Sequence, residues 1–215
     1  MVKIAAIVGD YYHKGDWAKE SLEAALTYSS LKNTQVEYHS YEQIKDVLAE
    51  QPDAVILFKE NRLNPTDEKI VWMTEELGQE ITNYVSNGGG WLAWHSGLAS
   101  YPARGSYTAM LRGHFLYHPE KHQIVHYKSS NNSSFLPAAV SFEAMDEHYF
   151  VHCDEENTSI FLTSDSIDGN AIAGWSHSYG NGKVCCLTPS HNKEGLLHPE
   201  FLTILGSCLN WINKD

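Results

Sequence analysis

The stretch Ser86-Asn87-Gly88-Gly89-Gly90-Trp91-Leu92-Ala93-Trp94-His95-Ser96-Gly97 decides how this sequence folds. Asn87 and Gly88 are residue types that take the left-handed conformation closing a helix. Trp91 to Trp94 is a four-residue apolar run, suited to a central strand covered on both faces. A histidine, a hydroxyl and a glycine then stop it abruptly. In open α/β sheets, ligands bind just outside the carboxyl ends of the strands, which is where His95 and Ser96 fall. The comparable turn of a nucleophile-elbow enzyme carries a reactive Ser or Cys. Here it carries His95.

Upstream, Lys3 to Val8 reads as a buried strand, followed by the polar loop Asp10 to Asp16. Asp16 is the expected N-cap of a helix from Trp17 to about Leu31. Gln35 to His39 is a second strand, Tyr41 to Glu50 a short helix, and Asp53 to Phe58 a third, wholly apolar strand. Asn64-Pro65-Thr66-Asp67 is expected to open a long helix carrying Ile70, Met73, Leu77, Ile81, Tyr84 and Val85 at helical spacing. Strands alternating with helices at this rhythm predict an α/β fold: a mostly parallel sheet with helices on both faces, a three-layer sandwich.

Downstream the pattern loosens. Leu98 to Arg112 reads as an irregular helix interrupted at Pro102, and Gly113 to Pro119 as a turn-rich segment. His122 to Lys128 and Ser159 to Thr163 read as strands, with a polar loop over Ser129 to Ser134. Ala171 to His177 and Lys183 to Leu187 form a predicted hairpin through Tyr179-Gly180-Asn181-Gly182. A closing helix runs from Pro199, suited to a first turn, to about Asn210. With no repeat or linker, residues 1–215 read as one domain.

A formal net charge of −12, without a basic stripe, argues against nucleic acid as a partner. No apolar run approaches the ~20 residues that span a bilayer, and the N-terminal segment is too short and β-like for a signal peptide. Cys153, Cys185, Cys186 and Cys208 show no CxxC spacing or disulfide framework, so free thiols in a reducing cytoplasm are expected.

The 12 histidines stand out. His13 follows the first strand, His95 the fourth, and His191 the strand ending at Leu187. Asp146-Glu147 lies in the irregular half. If those strands are parallel, their carboxyl ends share one rim where these groups can converge. Histidine there acts as acid or base near neutral pH, or ligates a metal, and a carboxylate completes either arrangement. His95, Glu147, His191 and His13 are therefore the candidate catalytic residues. His95, His118, Glu147 and His191 are candidates for holding a divalent metal such as zinc. His114 and His118 are four apart, but Gly113 and Pro119 make a shared helix doubtful. Gly88-Gly89-Gly90 precedes its strand and is a turn, not a phosphate cradle. No G-x-S-x-G accompanies Ser96.

In order along the chain, several segments resemble the ThuA-like (trehalose utilisation) family. They are Tyr11-Tyr12-His13, Gly88 to His95, Leu111-Arg112-Gly113-His114-Phe115-Leu116-Tyr117-His118-Pro119, Asp146-Glu147-His148-Tyr149, Gly174 to Val184 with His191, and Leu209-Asn210-Trp211. The resemblance implies a flavodoxin-like sheet of the class I glutamine amidotransferase-like kind. It does not imply glutamine hydrolysis, since no cysteine stands near the elbow to serve as nucleophile. It implies a carbohydrate as the small-molecule partner, with Tyr12, Trp94, Ser96, His118 and Tyr149 as candidate substrate-binding residues. The expected activity is acid–base chemistry on a sugar or keto-sugar, metal-assisted or not, as lyase, isomerase or hydrolase. The alternative is a non-catalytic sugar-binding or regulatory module on an amidotransferase-like scaffold. A homodimer is a further expectation, by analogy with flavodoxin-like domains.

Overall fold

The computed structural model describes residues 1–130, 135, 136 and 138–213. The first half alternates as predicted: β1 (Val2–Val8), α1 (Gly15–Leu26), β2 (Thr34–Tyr38), α2 (Ile44–Ala49) and β3 (Ala54–Phe58). A short hairpin, β4 (Arg62–Asn64) and β5 (Asp67–Val71), precedes α3 (Glu75–Ser86) and β6 (Gly90–Trp94). Then come α4 (Ser106–Leu111), β7 (Gly113–Tyr117), β8 (Gln123–Ser129), β9 (Ser141–Asp146), β10 (Phe150–Cys153) and β11 (Ser159–Ser166). The chain closes with β12 (Gly169–Tyr179), β13 (Gly182–Leu187), α5 (Lys193–Leu196) and α6 (Pro199–Ile212).

Among the described residues, nine strands form one sheet in the order β2-β1-β3-β6-β13-β12-β11-β8-β9. The first five run parallel, in a register that sets Leu57 beside Ala93 and Leu187 beside Trp94. Each of the last four runs antiparallel to its neighbour, so the expected mostly parallel sheet is a mixed one, with only β12 and β8 opposed to the rest among the described residues. Counting those reversals returns β9 to the direction of β13. Its carboxyl end therefore reaches the same rim as those of β1, β3, β6 and β13.

The central strands alternate between two apolar clusters, as strand periodicity requires. Ile4, Ile56, Leu92, Trp94 and Cys185 pack with Leu22 of α1 and Phe201 and Leu205 of α6. Ala5, Val55, Trp91, Ala93 and Cys186 pack on the other face with Val47 of α2, Leu77 and Ile81 of α3, and Met110 of α4. This α/β arrangement explains why β3 and β6 read as unbroken apolar runs.

Several local expectations are corrected. Asn64 to Asp67 turns a hairpin rather than opening a helix: the Asn64 side-chain oxygen accepts from the Thr66 N–H (2.9 Å) and hydroxyl (2.8 Å). Helix α3 starts later, where the Thr74 hydroxyl accepts from the Leu77 N–H at 3.2 Å. Helix α1 starts at Gly15 with Asp16 inside its first turn, and ends at Leu26 rather than Leu31. The Thr27 and Ser29 hydroxyls bond back to the carbonyls of Ala24 and Leu26 at that end. The segment expected to be turn-rich after Arg112 is strand β7, paired with β10. Between Leu98 and Arg112 only α4 is α-helical. Most of the loop expected over Ser129 to Ser134 lies outside the described residues. No helix among the described residues is long and apolar enough to cross a membrane.

Candidate active site

The elbow after β6 is built by conformation and by close approach. Gly88 takes φ +113° to close α3. His95 sits at φ +46°, a region few side chains occupy, and enters a single turn of 3-10 helix. Two residues on, a Cβ at Gly97 would lie 2.1 Å from the Leu57 carbonyl oxygen, so only glycine lets the elbow cross β3.

His95 is fully buried (0%) and its Nδ1 lies 2.6 Å from the Thr188 carbonyl oxygen. A carbonyl only accepts, so Nδ1 carries hydrogen and Nε2 points the other way. His13 is fixed the same way: its Nδ1 donates to Asp10 Oδ1 at 2.6 Å. Asp10 also accepts from the backbone N–H groups of Tyr12 and His13 through Oδ1 (3.0 Å each), and from that of Glu60 through Oδ2 (2.9 Å). On the opposite side Asp146 accepts from Tyr127 (2.8 Å), Ser190 (2.6 Å), the His191 N–H (2.7 Å) and the Glu147 N–H (3.0 Å). Asp146 thus ties the loop after β13 to the end of β9 and presents His191 beside Glu147.

The outcome is a cluster of His13, His95, Glu147 and His191 with one ligand-type atom each, all within 4.8 Å of one another. Glu147 Oε2 lies 3.2 Å from His191 Nδ1 and 3.6 Å from His95 Nε2. The buried nitrogens His13 Nε2, His95 Nε2 and His191 Nδ1 have no hydrogen-bond partner among the described residues. Three buried imidazole nitrogens without a hydrogen bond are costly unless something else satisfies them.

Charge state follows from these contacts. Burial would raise the Glu147 carboxyl, but the His191 and His95 imidazoles hold it well below the usual carboxylate range. Burial would lower His95, but the carboxylates of Glu147 and Asp146 and the Thr188 carbonyl carry it above its ordinary value. Burial lowers His13, outweighing the pull of Asp10, and the neighbouring His95 and His191 lower it further. Asp10 is held below the usual range: burial opposes ionisation, while His13 and the backbone donors overcome it.

A pocket of about 270 Å³ opens on the cluster, lined by Tyr12, His13, His118, Glu147, Tyr149 and Phe115 among others. Tyr149 stacks on His95 (centroids 4.3 Å apart, 23° between planes), and His118 lies nearly parallel to its ring. His118 Nδ1 donates to the Pro119 carbonyl at 2.8 Å, directing Nε2 toward Glu147 Oε1, 4.0 Å away. His118 is therefore at the pocket wall rather than within the four-ligand cluster.

Two of the candidate substrate-binding residues are buried in the core. Trp94 is wholly inside the core, packed against Phe58 and Phe201, with its Nε1 donating to the Pro189 carbonyl at 2.6 Å. Its position in a strand facing α6 keeps it from any ligand. Ser96 is likewise buried at 0%, and its hydroxyl has no hydrogen-bond partner among the described residues. The structure also brings in residues the sequence reading passed over. His122 Nε2 is 3.6 Å from Glu147 Oε1, and Glu60 and Arg62 line the same pocket. Position was the one available signal for Glu60, which stands two residues after the apolar strand β3 at the ligand-binding rim.

The sequence matches the ThuA family, described as trehalose utilisation, over residues 11–212, and the chain belongs to that family. Among solved structures it is similar to a ThuA-like protein from Parabacteroides merdae (TM-score 0.71, 15% identity, 98% of this chain and 89% of that one). It is similar to a cytoplasmic protein from Salmonella typhimurium (TM-score 0.70, 16% identity, 99% and 100%). A cold-adapted β-galactosidase from Rahnella sp. R3 contains the same fold over 32% of its length (TM-score 0.65, 14% identity, 98% of this chain). At these identities the likeness is one of fold. No curated protein matches the sequence.

Proposed function

We propose that this chain is an enzyme of carbohydrate breakdown that converts a sugar or keto-sugar with a divalent cation held by His13, His95, His191 and Glu147. The observation that carries the reading is the set of three buried, unpartnered imidazole nitrogens around one carboxylate. Imidazole-rich sites with one carboxylate suit zinc and its first-row neighbours. The Asp10–His13 and Thr188–His95 hydrogen bonds are the outer supports that metal-ligating histidines ordinarily have. Family membership supports the carbohydrate class. The parallel order β2-β1-β3-β6-β13 supports a flavodoxin-like, class I glutamine amidotransferase-like scaffold, flanked by helices as a three-layer sandwich. The four free thiols suit a cytoplasmic setting.

A bound cation supplies Lewis acidity toward a substrate carbonyl or hydroxyl oxygen. The chain's own groups do the rest. His13 and His95 are locked in one tautomer and one orientation by their outer hydrogen bonds. Glu147 Oε1, kept as a carboxylate, accepts a hydrogen bond from a substrate hydroxyl on the side of His118, whose free imidazole nitrogen takes up the substrate proton. His118 Nε2, at the half-exposed pocket wall, exchanges that proton with water. Tyr149 and Phe115 offer apolar faces to a sugar ring.

Elemental analysis of the untagged protein beside His95→Ala and His191→Ala variants tests this. The expected result is close to one divalent ion per chain, lost in both variants, and keto-sugar turnover abolished by His95→Ala. Metal-free wild-type protein, or full turnover by His95→Ala on the true substrate, would overturn it.

A further inference from the structure

Across the pocket from the histidine cluster stands a second built feature, the Glu60–Arg62 pair. Glu60 is only 3% exposed, yet it lines the pocket together with Arg62 and Ser100. Its carboxylate oxygen Oε2 accepts from Arg62 (Nε 3.4 Å, Nη2 3.2 Å) and from the Ser100 hydroxyl (3.1 Å). Among the described residues no hydrogen bond reaches the other oxygen, Oε1. The backbone around Glu60 is equally tied. Its N–H donates to Asp10 Oδ2, and its carbonyl accepts from the Trp72 indole at 3.0 Å. Asp10 is also the residue that orients His13, so one carboxylate sets the spacing between the two walls of the pocket.

We infer that Glu60 and Arg62 form a subsite for two neighbouring hydroxyls of an uncharged sugar, and that they exclude sugar phosphates and sugar acids. This rests on the carbohydrate reading above. A buried carboxylate with one oxygen already satisfied accepts a hydroxyl hydrogen through the other, while the guanidinium donates to the adjacent hydroxyl oxygen. That fixed pairing matches a vicinal diol. An anionic group fares badly here. Arg62 is already paired with Glu60 at 3.2 Å and faces Glu68 at 3.7 Å, and the Glu60 carboxyl group lines the same part of the pocket. A pocket of about 270 Å³ lies just below the ~300–1,000 Å³ range of small-molecule sites, so it takes one sugar unit.

The test is a ligand-observed NMR titration of the full chain with glucose and a keto derivative of glucose, beside glucose 6-phosphate and glucuronate. Neutral sugars should bind at least tenfold more tightly than the two anions. Glu60→Gln and Arg62→Met should each weaken neutral-sugar binding by roughly 10- to 100-fold, the loss of a hydrogen bond to a charged group. Glu60→Gln should also narrow the gap between neutral and anionic sugars, a swing that a purely structural role would not produce. Metal content should stay unchanged in both variants. Tighter binding of glucose 6-phosphate or glucuronate than of neutral sugars overturns the subsite and leaves the carbohydrate reading standing. Unchanged affinities in two folded variants do the same. Binding of no sugar at all overturns both.

Discussion

Asp10→Asn is the most informative single change at this site. Asp10 is buried and receives hydrogen bonds on both oxygens: three on Oδ1, from His13 Nδ1 and the N–H groups of Tyr12 and His13, and one on Oδ2, from Glu60. An asparagine keeps its single oxygen where three donors meet, which turns its NH₂ toward the Glu60 N–H. One hydrogen bond is lost and two donors are set face to face. The negative charge that orients His13 disappears as well. Leaving one buried donor unsatisfied costs about 1–3 kcal/mol. At roughly 2–4 °C per kcal/mol for a chain of this size, thermal unfolding registers the change directly. Loss of an outer carboxylate from a metal-bound histidine typically lowers metal affinity about 10- to 100-fold. The expected outcome is a folded variant, a few degrees less stable, that yields its cation to a chelator at 10- to 100-fold lower competitor concentration. A folded variant with wild-type metal affinity would refute the claim that Asp10 works through His13.

Two further outcomes follow from groups away from the cluster. His177 is buried on β12 with its Nε2 bonded to the Met110 carbonyl, and burial, with Arg112 nearby, pushes its imidazole down to about 4. The unfolded chain takes up that proton near pH 6.5, so this stability is complete above pH 6.5 and drains away as the pH falls toward 4. The loss is roughly 3 kcal/mol at most, and urea titrations of wild type and His177→Gln across pH 4–7 should show a flatter acid limb in the variant. Trp94→Phe should lower stability by about 1–3 kcal/mol, because the Pro189 carbonyl loses its indole donor in the core, while sugar affinity stays the same. A weakened sugar titration at unchanged stability would return Trp94 to the binding site.

The parallel half of the sheet was legible because β1, β3 and β6 are buried on both faces, and a short apolar run punctuated by glycine is a strong signal. His13, His95 and His191 were legible for a related reason: His95 directly follows such a run, and His13 and His191 lie in the short loops after two others. The antiparallel half was not. Strands β8, β9 and β11 alternate with exposed residues, and their order in the sheet depends on contacts distant in sequence. Ile70 sits exposed in the β4–β5 hairpin, where it counterfeits the spacing of a helix that runs on through Met73 and Leu77. Trp94 looked available because it borders His95, yet strand alternation turns it into the α6 side of the core. Asp10, Glu60 and Arg62 look like ordinary loop residues until the Asp10–Glu60 hydrogen bond joins the loops after β1 and β3. That link spans 50 positions of sequence and leaves no local trace.

The placement of Glu147 has a consequence for how the molecule is assembled. It leaves the end of β9, the outermost strand, four strand spacings from β13. Laid flat, at ~4.8 Å per strand, that is about 19 Å from the loop that carries His191. The two side chains are nonetheless 3.2 Å apart, and Phe142 of β9 meets Phe201 of α6. The sheet therefore curls until its margin returns over its own middle, and the carboxylate and the imidazoles act as the two halves of a clasp. The ion proposed above would add its binding energy to the hydrogen bonds of Asp146 that already fasten this edge to the loop after β13.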